Sequence, residues 1–419
     1  MIPPRLMGNA EGMMKLRDVR SAWAPAFAGV TMLILSTAAS ADPAFEKTIK
    51  SLWPRAKAAG ISREVFDAAF EGIDEPDPAV LKLAKTQPEF TSTTSEYLLK
   101  AVTPDRITNG KEAKAANGEL LSAIEARYNV DRHILLAIWG MESNFGKDKG
   151  SMKVMRCLAT LIHAGRKKKY ALEQLPAALK ILQRGIRTPK NFTGSWAAAM
   201  GHTQFIPTSY LSYAVDWTGD GQRNIWDSKE DALASTANYL AKSGWLNDRP
   251  WGWEINLPEG FDMGLIGRGK GKWRKVKDWE SLGVQRADGG KFGSPNATGF
   301  IMIPQGLKGP RFLVTQNFNA IMNYNFSHSY ALAVGHMGDR IRGRGAFVTT
   351  WPEVDYDLSF AQRVEIQRRL QGLGYDPGGD DGRFGARTYE AILAFQKKAK
   401  LKLDGLPSQE LLEALRAKS

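Results

Sequence analysis

The chain has 419 residues, of which 43% are hydrophobic, 24% charged and 10% aromatic. This composition is typical of a globular protein with two or three domains and excludes disordered, collagen-like and low-complexity classes. Basic residues (57) outnumber acidic residues (44), and the net charge of +13 favours an anionic partner such as nucleic acid, acidic lipid or a wall polymer. One cysteine, Cys157, excludes an internal disulfide framework, and the five histidines form no HExxH pair, so a metallohydrolase is not expected.

The N-terminal segment has the pattern of a secretory signal peptide. Lys15 and Arg17 precede an interrupted apolar run over 22–35. The run is followed by Ala39-Ser40-Ala41, an A-x-A cleavage pattern. The run is short for a membrane span and no cysteine follows it, so we expect no lipid anchor; a retained N-terminal anchor is the alternative. The sequence predicts cleavage near Ala41, removal of residues 1–41 and a periplasmic protein, which disfavours nucleic acid as a partner.

The remaining pattern divides the chain into domains. Residues 42–345 are mostly helical, with apolar residues recurring at intervals of three and four. Within them, 251–310 is rich in glycine, tryptophan and basic residues and predicts a small β-containing insert. A linker is predicted over 346–355, and a compact unit of three short helices over 356–419. The predicted fold class is therefore mainly α (α+β), with a small β-containing insert.

A basic cluster lies inside the predicted insert, at Gly267–Lys275. It lacks the GxxxxGK[ST] order and the preceding strand of a phosphate-binding loop. We expect a solvated loop, and contact with an anionic polymer is the alternative.

The segment that carries a candidate catalytic group runs from Asp131 to Gly146. Asp131 is suited to cap a helix and Gly146 to form the turn after it. Glu142 follows Ile138 by four residues, so its carboxyl lies on the apolar side of the helix. Desolvation there raises the pKa of a carboxyl, which suits a general acid near neutral pH. The alternative is a structural carboxylate that caps a neighbouring element or pairs with an arginine.

An ordinary glycosidase needs a second carboxylate about 5–10 Å from the first. Asp148 is close in sequence but lies in the polar run Lys147–Lys149, where a solvated loop is expected. The sequence offers no convincing partner, and distant residues such as Glu173 remain open.

Residues 216–227 have the spacing of an EF-hand loop, with oxygen side chains at positions 1, 3, 5 and 12 and glycine at position 6. Position 12 is aspartate instead of glutamate, and position 8 is Arg223 instead of an apolar residue, so a weak site is expected. A structural Ca²⁺ or a monovalent cation is predicted, and an Asx-rich turn without metal is the alternative. The predicted ligands are Asp216, Thr218, Asp220, Asp227 and the backbone carbonyl of Gln222.

Several separated motifs in the order of one family extend over about 43–345. Together they resemble the B-type lytic murein transglycosylases. The motifs are Glu142-Ser-Asn-Phe-Gly146, Ser195-Trp-Ala-Ala-Ala-Met-Gly201, Thr203-Gln-Phe-Ile-Pro207, the loop from Asp216 to Asp227, Tyr324-Asn325 and Tyr330.

The resemblance implies a lysozyme-like, mainly helical domain that cleaves the β-1,4 bond between N-acetylmuramic acid and N-acetylglucosamine. It implies that Glu142 acts first as acid and then as base, that no water enters, and that a 1,6-anhydro sugar is formed without a catalytic cofactor. The related enzymes carry a similar single acidic loop. A water-using muramidase and a non-catalytic murein-binding or scaffold protein are the alternatives.

The same matching implies the residues around the cleft. Ser195 and Gln204 fall in the family's active-site loop, where they would orient the N-acetyl and neighbouring groups. Arg166 matches the first of two arginines that would meet the peptide stem or a sugar carboxylate, but the second is Lys167 here, which cannot form the bidentate fork. Polar and aromatic cleft positions are matched by Tyr239, Tyr324, Asn325 and Tyr330, for which helix packing is the alternative role.

The C-terminal unit resembles the peptidoglycan-binding domain type one, through Asp381-Gly-Arg-Phe-Gly385, Thr388 and Ala394-Phe-Gln396. Such a domain would tether the enzyme to murein and raise the local substrate concentration. The predicted partners are peptidoglycan glycan strands, and other cell-wall enzymes are further candidates.

Overall fold

The computed structural model describes residues 42–86, 92–353 and 357–418. The predicted signal peptide, 1–41, lies outside the described residues. Within the described ranges, no helix has both the length and the apolar character needed to cross a membrane.

Helices dominate the described residues between 42 and 342. They are α1 (Pro43–Ser51), α2 (Trp53–Ala58), α3 (Arg63–Phe70), α4 (Pro78–Thr86), α5 (Thr94–Ala101), α6 (Pro104–Ala116), α7 (Gly118–Tyr128), α8 (Arg132–Ser143), α9 (Val154–His163), α10 (Lys168–Gln183), α11 (Pro207–Tyr213), α12 (Lys229–Lys242), α13 (Val276–Ser281), α14 (Gln316–Tyr324) and α15 (His328–Arg342).

Helix α8 lies at the centre of this helical part, and nearly all its side chains are buried. As predicted, the Asp131 side chain caps it by accepting a hydrogen bond from the N–H of His133. It packs closely on α15 because Gly140 has no side chain: a Cβ there would lie 2.6 Å from Met337 and from Phe145. The helix ends at Asn144, which takes the left-handed conformation.

The predicted insert, 251–310, and the five residues after it form a five-stranded antiparallel sheet. Its strands are β3 (Gly252–Asn256), β4 (Arg274–Lys275), β5 (Gln285–Arg286), β6 (Thr298–Met302) and β7 (Arg311–Thr315), in the order β4-β6-β7-β3-β5. A separate pair, β1 (Met152–Lys153) and β2 (Thr193–Gly194), ties the start of α9 to the loop before α11. The predicted fold class, mainly α with a small β-containing insert, is confirmed.

Successive side chains of a strand point to opposite faces of the sheet, and both faces of this sheet are covered. Phe300 and Met302 belong to the same buried cluster as α8 and α15. Ile301 and Leu313 belong to another buried cluster, which continues into the C-terminal unit. The sheet therefore lies between the helical domain and the C-terminal helices.

Three helices form the C-terminal unit, α16 (Phe360–Gly372), α17 (Ala386–Ala399) and α18 (Gln409–Arg416). The side chains of α18 predicted on one face, Leu411, Leu412 and Leu415, are buried. The unit packs on the insert: Lys397 forms an ion pair with Asp262.

Two segments differ from expectation. In the predicted linker, Phe347 packs on Phe312, with ring centres 4.9 Å apart. The basic cluster is not simply a solvated loop, because Arg274 begins strand β4 and Gly267 is buried against Glu390. Sequence periodicity carries no signal for either contact, because both are made to a distant part of the chain.

Candidate active site

Glu142 lies in the last turn of α8 and is 4% exposed. Its Oε1 atom accepts a hydrogen bond of 2.5 Å from the hydroxyl of Tyr330. Tyr330 is fully buried, and its burial, followed by the charge of Glu142, raises the pKa of the phenol, which therefore remains a donor. Tyr330 thus positions the carboxyl of Glu142 instead of lying open to substrate.

A small cavity opens beside this carboxyl. Its volume of about 20 Å³ is close to that of one water molecule. Glu142 is the one acidic side chain among its described lining residues, and neither Asp148 nor Glu173 reaches it. The lining consists of Glu142, Gln204, Phe205, Ile206, Ser209, Tyr239 and Tyr324.

The two lining tyrosines are fixed by backbone carbonyls. The hydroxyl of Tyr239 donates to the carbonyl of Asn323 at 2.6 Å, and that of Tyr324 donates to the carbonyl of Thr203 at 2.5 Å. Next to them, Asn325 is 2% exposed, and its side-chain Nδ2 has no hydrogen-bond partner in the part of the chain that the structure describes. A buried donor without a partner is costly, but Asn325 is not among the residues that line the cavity.

The loop from Ser195 to Phe205 brings Gln204 to the cavity. The Nε2 of Gln204 donates to the carbonyls of Lys149 (3.0 Å) and Gly201 (2.9 Å), while its backbone has a positive φ of 52°. Non-glycine residues in this region of φ are uncommon and concentrate at functional sites. Ser195 is placed differently: its hydroxyl accepts the N–H of Ala199 at 3.1 Å within the loop, and it does not line the cavity.

Sequence reasoning missed the contacts that join this loop to α8. Ser143 donates a hydrogen bond of 2.5 Å to the carbonyl of His202 and accepts the N–H of Gly146 at 2.9 Å. The indole of Trp139 donates to Nδ1 of His202 at 3.1 Å. Burial, and then the charge of Lys149, lowers the pKa of His202 to about 4, so its ring is a neutral acceptor. The signal that the sequence offered for these contacts was that Ser143 directly follows Glu142, which was predicted to lie on the apolar side of the helix.

The turn after α8 is held in an unusual backbone conformation. Asn144, Phe145 and Gly146 all have positive φ, at 49°, 59° and 87°. A Cβ on Gly146 would lie 2.4 Å from the ring of His202. The Glu-Ser-Asn-Phe-Gly motif therefore combines an acid with the tight turn that receives the loop.

Arg166 lies apart from the cavity, exposed in the turn between α9 and α10. Its neighbour Lys167 has its ammonium 5.2 Å from the ring centre of Trp196, which lies in the loop that carries Gln204. The lysine that replaces the second expected arginine is thus engaged with the active-site loop.

The acidic loop forms a compact turn. Asp216 accepts the N–H groups of Gly219 (2.7 Å) and Gly221 (2.8 Å), and Asp220 accepts that of Gln222 at 2.8 Å. Asp227, the predicted twelfth-position ligand, instead accepts a 2.9 Å hydrogen bond from Arg187.

The predicted ligands are therefore only partly gathered. Asp231, which the sequence reasoning did not name, is buried and accepts the N–H groups of Trp217 and Asn224. Across the described residues, no group of three or more His, Cys, Asp or Glu side chains is placed to hold a metal ion. The oxygens of Asp216, Thr218, Asp220 and Gln222 have the chemistry that a hard cation prefers, but the carboxylate of Asp227 is engaged by a cation of the protein.

Comparison with known proteins gives two family matches and a similar enzyme. Residues 44–339 match the family described as the transglycosylase SLT domain, and residues 361–415 match the putative peptidoglycan binding domain. Membrane-bound lytic murein transglycosylase B of Escherichia coli K12 is 30% identical over 251 residues, which are 58% of this chain and 66% of that protein. The chain thus spans about two thirds of the length of this relative.

Solved structures agree as well. SltB3 from Pseudomonas aeruginosa, in complex with NAG-anhNAM-pentapeptide, is 46% identical and has a TM-score of 0.80, covering 90% of this chain and all of that one. The Escherichia coli lytic transglycosylase Slt35 in complex with calcium is 26% identical, with a TM-score of 0.58 over 72% of this chain and 93% of that one.

A buried helical glutamate, a loop that brings a glutamine to it and a wall-binding type of C-terminal unit define one class of protein. The chain belongs to the lytic transglycosylase family of the SLT domain, a family of enzymes with a lysozyme-like fold, and carries a peptidoglycan-binding domain after it.

Proposed function

We propose that the protein cleaves the β-1,4 bond between N-acetylmuramic acid and N-acetylglucosamine in peptidoglycan and leaves 1,6-anhydromuramic acid ends. The observation that carries this proposal is the lone carboxyl of Glu142 in its cavity. An ordinary two-carboxylate glycosidase needs a partner for it. A reaction in which the substrate supplies its own internal nucleophile needs only one carboxyl.

In the first step, Glu142 donates its proton to the glycosidic oxygen, and the C1–O bond breaks as the N-acetyl group of the same sugar stabilises the cation. Burial disfavours the charged form of a carboxyl, which favours the protonated acid at this stage. In the second step, the carboxylate removes the proton of the C6 hydroxyl, whose oxygen bonds to C1. Glu142 ends protonated, as it began, and no water is consumed. The hydroxyl of Tyr330 stabilises the carboxylate between the two steps.

The roles of the surrounding residues follow from their placement. Gln204, Tyr239 and Tyr324 surround the reacting sugar. The buried amide of Asn325, which follows Tyr324, donates to the substrate once the cavity opens. Ser195 acts through the loop whose shape it holds. Arg166, in the exposed turn before α10, meets the anionic peptide or lactyl side of the substrate outside the cavity. The relative SltB3 was solved with NAG-anhNAM-pentapeptide, which supports an anhydro product on a peptide-bearing strand.

The test is mass spectrometry of purified sacculi digested by the 42–419 chain and by Glu142→Gln. Muropeptides lighter by one water than hydrolysed ones, formed only with the unmodified chain, are expected. Reducing-end products would mean a muramidase. Absence of products, with the protein retained on sacculi, would mean a murein-binding protein without activity.

The proposed domains are a catalytic domain over 42–345 and a wall-binding domain over 356–419, joined by 346–355. We further propose export to the periplasm, with cleavage after Ala41. N-terminal sequencing of the protein recovered from the periplasmic fraction should begin at Asp42. Recovery of the uncleaved chain in the membrane or the cytoplasm would contradict this.

We also propose that the 216–227 loop binds Ca²⁺ weakly, through Asp216, Thr218, Asp220 and the carbonyl of Gln222. The spacing of these oxygens and the calcium complex of Slt35 support it. The ion would stabilise the loop and has no part in the chemistry. Calcium should raise the melting temperature of the unmodified chain more than magnesium does, and Asp220→Asn should abolish the difference. Equal melting temperatures with both ions would refute the site.

A further inference from the structure

A second open groove lies on the catalytic domain, between the end of α7 and the acidic loop. Its volume is about 550 Å³, far more than that beside Glu142. Tyr128 and Trp217 form its two walls, Ala214 and Val215 lie between them, and Arg127 and Arg223 stand at its rim. We call it the Trp217 groove.

The walls of the Trp217 groove are aromatic. The ring centres of Tyr128 and Trp217 lie 6.3 Å apart, with an angle of 40° between their planes. Both side chains are only half-buried, so each ring keeps accessible surface. Flat apolar rings of this kind pack against the C–H faces of pyranose sugars, while a polar rim fixes orientation.

The rim carries two arginines, and the guanidinium of Arg127 lies over the ring of Tyr128, 5.8 Å from its centre. Arg127 and Arg223 are exposed, and within the described ranges neither forms an ion pair with a carboxylate. The acid of the groove, Asp216, is already hydrogen-bonded to the amides of its own loop. Two guanidinium groups beside the aromatic walls of the groove are suited to a carboxylate, which a guanidinium can bind in bidentate fashion.

The Trp217 groove and the proposed active site lie at opposite ends of α11. Ile206 and Ser209, at the start of this helix, line the cavity of Glu142, and Ala214, just after its end, lines the groove. At 1.5 Å per residue, Ser209 and Ala214 are separated by about 7.5 Å along the helix axis. Near the end of α11 the ring of Tyr213, which is next to Ala214 in the chain, packs on that of Tyr239 with centres 4.3 Å apart.

We propose that the Trp217 groove binds a peptide-bearing sugar of the same glycan strand that is cleaved at Glu142. A sugar face packs on Tyr128 and Trp217, and a free carboxylate of the stem peptide binds Arg127 and Arg223. This inference rests on the proposed function and adds a specificity to it: strands that carry peptides are held more tightly than bare strands.

The test measures binding in a Glu142→Gln background, where the strand is not cleaved. The probes are soluble glycan strands with their stem peptides and the same strands stripped by an amidase. The groove variant is Arg127→Gln with Arg223→Gln; both side chains are exposed, so folding should not suffer. The matched control is Arg55→Gln with Lys57→Gln, two exposed cations on α2, which packs on α1, α3 and α10.

The groove variant should weaken binding of peptide-bearing strands about ten-fold at low salt, leave binding of bare strands unchanged, and lose its effect as salt rises. The control pair should change neither. Trp217→Leu, which keeps bulk but removes the ring, should weaken both kinds of strand. Unchanged binding in the groove variant, an equal loss on bare strands, or the same loss in the control pair would each overturn the proposal.

The two proposals fail separately. If the unmodified chain releases no anhydro ends from either kind of strand, the proposed function is wrong whatever the groove binds. If anhydro ends form and the groove variant binds both strands normally, only the assignment of the Trp217 groove is wrong.

Discussion

Ser143 joins the two parts of the proposed active site, and Ser143→Ala should weaken both stability and activity. The variant loses the hydrogen bond donated to the carbonyl of His202 (2.5 Å) and the one accepted from the N–H of Gly146 (2.9 Å). Ser143 is 1% exposed, so the carbonyl of His202 is left without a partner at about 1–3 kcal/mol. The N–H of Gly146 is only partly buried, and its loss costs about 1 kcal/mol. We expect the free energy of unfolding to fall by about 2–4 kcal/mol.

The same change should lower kcat by about ten-fold or more at temperatures where the variant is folded. Gln204 follows His202 by two residues, so a loosened loop misplaces the cavity wall, and small misplacements are costly in catalysis. Urea denaturation followed by circular dichroism gives the stability, and product release from sacculi gives kcat and KM.

The matched control is Ser281→Ala, an exposed serine that donates to the carbonyl of Lys277 within α13. Its effect on the free energy of unfolding should stay below about 0.5 kcal/mol. A Ser143→Ala protein with unchanged stability and unchanged kcat would show that other contacts hold the loop, and would refute the reasoning.

Three further predictions concern Tyr330, Gly146 and His202. Tyr330→Phe should lower kcat about ten-fold with little change in KM, because a hydrogen bond to a charged group contributes about 1.5–3 kcal/mol; unchanged steady-state kinetics would contradict this. Gly146→Ala should destabilise the protein by at least about 1 kcal/mol more than Gly72→Ala in denaturant titrations, since both have positive φ but only at Gly146 does the new Cβ meet the ring of His202. Burial and the charge of Lys149 lower the pKa of His202 from 6.5 to about 4, so its stabilising effect is present above pH 6.5 and is lost as the pH falls toward 4. His202→Gln should therefore make melting temperature depend less on pH between 7 and 4, and an unchanged slope would count against it.

Much of the helical architecture could be predicted because its signals are local. The cap at Asp131, the apolar side that carries Glu142 and the leucines of α18 are all set by neighbours within one or two turns. The sheet was predicted only as a β-containing insert, since strand order depends on contacts between segments far apart in the chain.

The candidate site was predicted in part for the same reason. Helical spacing indicated Glu142, and the resemblance named Gln204 and treated Tyr330 as a cleft residue. Only the fold shows that this phenol is buried and hydrogen-bonded to Glu142. The contact of Ser143 with His202 spans 59 positions and leaves no periodic trace in the sequence. Likewise, the engagement of Asp227 by Arg187 depends on where α10 ends, which loop spacing does not show.

The mounting of the C-terminal unit has a consequence for how a strand is read. A module on a slack tether lets its enzyme cut anywhere within reach. Here Lys397 is ion-paired with Asp262, the N–H of Leu307 donates to the carbonyl of Asp404 at 2.9 Å, and the predicted linker packs through Phe347. A strand gripped by such a fixed module approaches Glu142 at one angle and one offset. The distance between the part of the strand bound by the module and the bond cleaved at Glu142 is then set by the fold.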